Sequence, residues 1–306
     1  MTAPGAGDLG SPARERELPE LDGVEHRFVS AGGLRMHVAL AGSGPPLVML
    51  HGWPQHWWMW RELIGPLAER HRVICPDLRG FGWTQAPPGG YDPEVFANDI
   101  AALLDALGVD EPADVIGHDW GGWTSFVLAM RHPGRVRRLL AAGIVHPWVR
   151  PTPVSLLAAW RLWYQGVLAL PWLGPRAIRG ASERNPLIFF VGARRAVWSE
   201  ETRRVYTDQL REPERAEASS RLYRHSVLRL QGQMREYRRI RIPHRALLLF
   251  PAEDAVQRAI PLAGYERHAP RMEVEVVPGA SHFIVDERPD LVLERARTLF
   301  DPDAPA

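Results

Sequence analysis

The chain has 306 residues, 45% of them hydrophobic, and its 37 cations against 36 anions leave a formal net charge of +1. That is enough chain for one large domain, or a domain with an insertion, around a sizeable core. Near-neutrality without a long run of one sign excludes nucleic acid or an anionic membrane as the expected partner. Every one of the 37 cations is arginine, which also excludes a lysine Schiff base.

Residues 1–22, MTAPGAGDLGSPARERELPELD, lack the apolar centre of a signal peptide, and no uninterrupted apolar stretch is long enough to span a bilayer. The expectation is a cytoplasmic protein with a disordered tail over residues 1–22. The single cysteine, Cys75, ends the apolar run of HRVICPD, so a buried thiol in a reducing compartment is expected rather than a disulfide.

From residue 24 the chain alternates short β-rich runs with helical periodicity. VEHRFVS and LRMHVAL lead to PPLVMLHG, whose apolar run is continuous, as in strands buried on both faces. After HRVICPD and a turn-rich loop, DPEVFANDIAALLDALGV reads as a helix, with Asp92 as N-cap, Pro93 as first helical residue, and Val95, Ile100, Leu103, Leu104 and Leu107 at helical spacing. ADVIG, a helix over 121–132, RRLLAAGIV, RALLLF and MEVEVV continue the alternation. An α/β fold with a mostly parallel sheet and helices on both faces follows. Between residues 147 and 241 strand signals vanish in favour of helical segments such as VSLLAAWRLWYQGVLAL and EETRRVYTDQL. This predicts a helical lid over 147–241, inserted into a core formed by 23–146 and 242–306, with a cleft between them. Tryptophans 148, 160, 163, 172 and 198 are candidates to line it.

GHDWGG, residues 117–122, has the spacing of the Gly-x-Ser-x-Gly turn that carries a catalytic serine, with Asp119 in the serine's place. Alone it is weak evidence. It gains weight because ADVIG ends at it and a helix leaves it. Partners also follow in the chain order this turn requires: a carboxylate after RALLLF and His282 in PGASHF after MEVEVV. FPAED offers Glu253 and Asp254, and Asp254 is chosen because it lies further past the strand, where it can reach the imidazole. HGWPQ follows the buried strand PPLVML, so the amides of Trp53 and of Trp120, the residue after Asp119, can converge on an oxyanion, with Gly52 letting the backbone turn.

HGWPQHWWMWR, DLRGFGWT, GHDWGG and GASHF, in this order, resemble an epoxide hydrolase of the α/β-hydrolase fold, over about residues 24–300. The resemblance implies Asp119 as nucleophile, His282 as base and Asp254 as acid, although Pro251 stands where many relatives have glycine. Haloalkane and haloacetate dehalogenases share motifs of this kind. An aspartate with an ordinary pKa of about 3.9 is ionised at neutral pH and attacks carbon without a base, and the resulting ester then needs His282 and water. An epoxide also needs a proton donor for its alkoxide. WYQGVLALP and LYRHSVL resemble the lid segments that carry two tyrosines in epoxide hydrolases, giving Tyr164 and Tyr223. Tyrosines 91, 206, 237 and 265 have no matching context.

The expected function is therefore opening of a small apolar epoxide to a vicinal diol through an Asp119 ester, with no cofactor and no metal. The alternatives are a haloalkane or haloacetate dehalogenase and a non-catalytic ligand-binding member of the fold. Oligomeric state is left open, a homodimer included.

Overall fold

The computed structural model describes residues 16–150, 152–153, 157–180, 198–255, 257–258 and 260–301. Among the described residues eight strands form one sheet: β1 (Glu25–Ala31), β2 (Leu34–Ala41), β3 (Pro46–Leu50), β4 (Arg72–Pro76), β5 (Ala113–His118), β6 (Val136–Ala142), β7 (Arg245–Pro251) and β8 (Met272–Val277). Their order is β1-β2-β4-β3-β5-β6-β7-β8. β2 is antiparallel to both its neighbours, and every pairing from β4 to β8 is parallel. β3 and β5 are buried at every residue, as their unbroken apolar runs require, whereas edge strand β1 alternates toward solvent.

The core helices are α1 (Arg61–Ala68), α2 (Pro93–Ala106), α3 (Trp120–Arg131), α9 (Ile284–Glu287) and α10 (Pro289–Leu299), the numbers between belonging to the insertion described next. α1 packs on α10 and α2 on α3, flanking the sheet. The Asp92 side chain caps α2 by accepting from the Glu94 and Val95 amides. Phe96 rather than Val95 fills the buried face, and Leu107 is the C-cap. Between β6 and β7 the insertion contributes α4 (Trp163–Ala169), α5 (Leu173–Arg179), α6 (Glu200–Asp208), α7 (Pro213–Leu228) and α8 (Leu230–Tyr237).

Of the tail expected over residues 1–22, residues 1–15 lie outside the described residues, as do 151, 154–156 and 181–197 of the expected lid. Residues 16–22 run along the body: Arg16 stacks on Trp83 at 4.5 Å and pairs with Glu212 of the insertion. Among the described residues no helix is long and apolar enough to cross a membrane. Cys75 is a free buried thiol whose pKa burial raises well above the ordinary value, so it stays protonated and inert.

Parallel pairing brings the carboxyl ends of β3, β5, β7 and β8 to one edge, because residues opposite one another, such as Leu50 and Gly117 or Pro251 and Val277, end their strands together. The loops carrying Trp53, Asp119, Asp254 and His282 all leave from that edge, where ligands bind in open α/β sheets.

Candidate active site

Asp119 occupies the turn between β5 and α3 with φ 50° and ψ −120°, a region L-residues rarely adopt. Its neighbours permit the turn. A Cβ on Gly117 would lie 2.4 Å from the Gly121 carbonyl oxygen, and one on Gly121 would lie 2.0 Å from that of Leu50. Only glycine fits at either place, so helix and strand close up and the carboxylate stands clear at the head of α3.

Trp53 N donates to Asp119 Oδ2 at 3.0 Å, and the Trp120 amide also hydrogen-bonds the carboxylate. The two amides expected to form the oxyanion hole thus converge on Asp119. Burial raises the Asp119 pKa to about 6 against the lowering effects of His282 and those amides. The ordinary aspartate value is too low for this site by that desolvation, yet Asp119 remains mostly ionised at neutral pH.

His282 Nδ1 donates to Asp254 Oδ2 at 2.9 Å, and its Nε2 lies 3.9 Å from Asp119 Oδ1. That Nε2 is buried and has no hydrogen-bond partner among the described residues. Burial disfavours the imidazolium, but the Asp254 charge and hydrogen bond, with the Asp119 charge, override it and raise His282 to about 9. Asp254 is fully buried whereas Glu253 is exposed, so the geometry selects Asp254 as the imidazole's partner. Gln257 holds it from both sides, donating from its backbone N to Oδ1 at 2.9 Å and from Nε2 to Oδ2 at 3.2 Å.

A cavity of about 460 Å³ opens above these groups, lined by Asp119, Trp120 and His282 from the core and by Tyr164 and Tyr223 from the insertion. Its walls are largely apolar, with Trp123, Ile144, Val149 and Met234 among them. Both tyrosines are buried, and their rings meet edge to face at 6.1 Å. Burial raises both phenols well above the ordinary range, so each is a neutral O–H donor. Tyr223 also packs edge-on against Trp53 at 5.2 Å and is hydrogen-bonded by the Trp120 side chain.

Of the five insertion tryptophans expected at the cleft, only Trp163 lines it. Trp148 is buried against Phe126, its indole donating to the Tyr237 carbonyl. Trp160 and Trp172 are 66% and 79% exposed. Trp198 is buried against Phe283 with its indole on Asp286. The other tryptophans lining the cleft are Trp120 and Trp123 on α3. Helical spacing alone does not tell which face of a lid helix meets the cleft.

One group carries no motif that would single it out in the sequence. Asp286, four residues past His282, accepts from Gln55 Nε2 at 2.6 Å, Arg61 Nη1 at 2.9 Å, Trp198 Nε1 at 2.9 Å and the Tyr206 hydroxyl at 3.2 Å. It ties the loop that carries Trp53 and Gln55, α1 and the insertion to the His282 loop. Only its place just after GASHF hints at this, since its partners are scattered through the chain.

The arrangement places a carboxylate on the tight turn between β5 and α3, with a paired histidine and carboxylate beside it, and the family follows from comparison. The α/β-hydrolase-fold family model matches residues 45–289, so the chain belongs to that family. It is 33% identical over 281 residues to the α/β-hydrolase superfamily protein YfhM of Bacillus subtilis (strain 168), covering 89% of this chain and 96% of that protein. It is 42% identical over 139 residues to the soluble epoxide hydrolase of Corynebacterium sp. (strain C12), covering 44% of this chain and 48%, about half, of that relative. Similarity to a fluoroacetate dehalogenase of Burkholderia sp. is 34% over 176 residues, covering 56% of this chain and 57% of that protein. The solved structure of epoxide hydrolase CorEH superimposes with a TM-score of 0.77 at 28% identity, over 91% of this chain and 99% of that one. The chain is an epoxide-hydrolase-like α/β hydrolase.

Proposed function

We propose that the protein is an epoxide hydrolase acting through a covalent ester on Asp119. The observation that carries this is the pair of neutral tyrosine hydroxyls lining, with the Asp119 carboxylate, a single apolar cavity. Oδ2 is engaged by the Trp53 amide, so Oδ1 is the attacking oxygen. It bonds to an epoxide carbon as the C–O bond breaks, and the electron pair leaving with oxygen is met by hydrogen from Tyr164 or Tyr223.

Esterification removes the Asp119 charge that helped raise His282, so the imidazole gives up its proton more readily. Neutral His282, held by Asp254, takes a proton from water at Nε2 as that water attacks the Asp119 Cγ. The developing oxyanion at Oδ2 receives the Trp53 and Trp120 amides. The tetrahedral carbon then expels the second diol oxygen, which takes the proton from the His282 imidazolium, and the proton left on the carboxyl returns to the tyrosine that gave one up, so the carboxylate and the neutral phenol are restored as a vicinal diol leaves. The largely apolar walls fit a small apolar epoxide.

In this reading residues 147–241 act as a lid on a core of residues 23–146 and 242–306. The lone buried Cys75 fits a reducing, cytoplasmic setting. The similarity to a fluoroacetate dehalogenase favours a second reading, carbon–halogen hydrolysis by the same Asp119 ester, in which a halide leaves without needing a proton.

The test is a substrate panel. Diol formation from an aryl epoxide with no halide release from haloacetates or haloalkanes is expected, and the reverse pattern selects the dehalogenase. A single turnover in ¹⁸O water should place the label in the Asp119 carboxylate, and label in the first-turnover diol overturns the covalent route.

A further inference from the structure

Tyr164 does not stand alone in its helix. Gln165, the next residue of α4, donates from Nε2 to the Tyr164 oxygen at 3.3 Å, and Ser226 of α7 donates to Gln165 Oε1 at 3.2 Å. Tyr164, Gln165 and Ser226 all line the cavity that holds Asp119. A primary amide has two chemically distinct ends, one accepting and one donating. With its oxygen engaged by Ser226, the amide presents its nitrogen to Tyr164.

A phenol oxygen that accepts N–H on one side keeps its own hydrogen for another direction, and for Tyr164 the open direction is the cavity. As that hydrogen is shared with the oxygen of an opening ring, negative charge grows on the phenol oxygen. The Gln165 N–H is already in place to meet it, and donors in such a chain strengthen one another. Tyr223 is served by a different element, the Trp120 side chain, so the two phenols are supported separately.

We propose that Gln165, clamped by Ser226, is a positioning residue that aims the Tyr164 hydroxyl hydrogen into the cavity and strengthens it as donor to the opening ring. Gln165 acts through Tyr164 and does not touch the reacting atoms. The proposal rests on the epoxide reading, because a departing halide would make no demand on a phenol hydrogen.

The experiment measures single-turnover alkylation of the full-length protein by styrene oxide, and separately the hydrolysis of the ester, for Gln165→Met and Ser226→Ala. Both are made in the wild-type and Tyr164→Phe backgrounds. Methionine keeps the length of the side chain and lacks the donor. Gln165→Met should slow alkylation by about tenfold, the scale of one lost hydrogen bond, with ester hydrolysis changed less than about twofold. Ser226→Ala should slow the same step by a smaller factor.

In the Tyr164→Phe background neither substitution should cost anything further. Equal slowing of both steps, or an undiminished loss without the Tyr164 hydroxyl, overturns the proposal, since either marks a general packing role. Wild-type alkylation by both variants also overturns it while leaving the epoxide reading intact. A wild-type protein that forms no ester with epoxides but releases halide overturns both.

Discussion

The two sides of the cavity are built on different terms. On the sheet side, Asp119 is fixed by a strained backbone, by glycine contacts too close for a Cβ and by two amides. His282 is fixed by a buried carboxylate that is itself held at both oxygens. On the insertion side, Tyr164 and Tyr223 are held by ring contacts and by hydrogen bonds from Gln165 and the Trp120 side chain. Backbone constraint gives one geometry or none, whereas side-chain constraint can be removed one contact at a time. The sheet side should therefore fail in steps that abolish turnover, and the insertion side in graded losses confined to ring opening.

The largest effect should come from removing both phenols. In the proposed epoxide route each Tyr→Phe withdraws one donor from a developing alkoxide, a loss of about 10²–10³-fold if it resembles removal of an oxyanion donor. Tyr164→Phe/Tyr223→Phe should then all but abolish alkylation by an epoxide while leaving the fold intact by circular dichroism. Wild-type-like alkylation by the double variant would erase the division of labour between the two sides and favour a halide substrate.

On the sheet side, His282→Gln should leave alkylation near normal and slow ester hydrolysis by about 10²–10⁴-fold, the range for loss of a general base. Intact-protein mass spectrometry should find the mass of the whole epoxide added at Asp119. A folded variant that binds substrate and shows no adduct contradicts the covalent route.

pH separates the same two steps. In the proposed route Asp119 attacks as the carboxylate, so alkylation should fall as pH drops through about 6, by about tenfold per unit below it. In the same route ester hydrolysis needs neutral His282, whose pKa falls below the free protein's value of about 9 once esterification removes the Asp119 charge, so hydrolysis should instead gain as pH rises and level off before about 9. Stopped-flow rates across pH 5 to 9 check both limbs, and an ester hydrolysis rate flat over that range would remove His282 as base.

The smallest effects concern the ties between the sides. Asp286→Asn weakens a buried acceptor of four donors and leaves Arg61 only its more exposed pairing with Glu62, so urea unfolding should show a loss of about 1–3 kcal/mol. Ser219→Ala removes the acceptor for the Trp53 indole, a bond of 3.0 Å, and should cost about 1 kcal/mol with little change in kcat. A large kcat loss from either would show that the two sides are coupled more tightly than their separate anchoring implies.

The sheet side was legible in the sequence because its signals are local. A strand that must be apolar throughout, two glycines bracketing Asp119 and a histidine just past the last strand each sit within a few residues of what they position. Asp119, His282, Trp53 and Trp120 could therefore be read as motifs. Asp254 over Glu253 was a choice between neighbours, decided in the structure by burial of one and exposure of the other. The tyrosines were legible only through the resemblance of their segments, since nothing in WYQ or LYR by itself says which way a helix faces.

What only the tertiary structure decided depends on contacts distant in sequence. Asp286 gathers Gln55, Arg61, Trp198 and Tyr206, and Ser226 clamps Gln165 from a helix 61 residues away. The Asp119 pKa of about 6 arises from the same kind of cause, since it reflects the desolvation that the folded chain imposes. Period and turn chemistry act along the chain and can be read from it. Burial and long-range hydrogen bonds act across it, and they exist only once the chain has closed on itself.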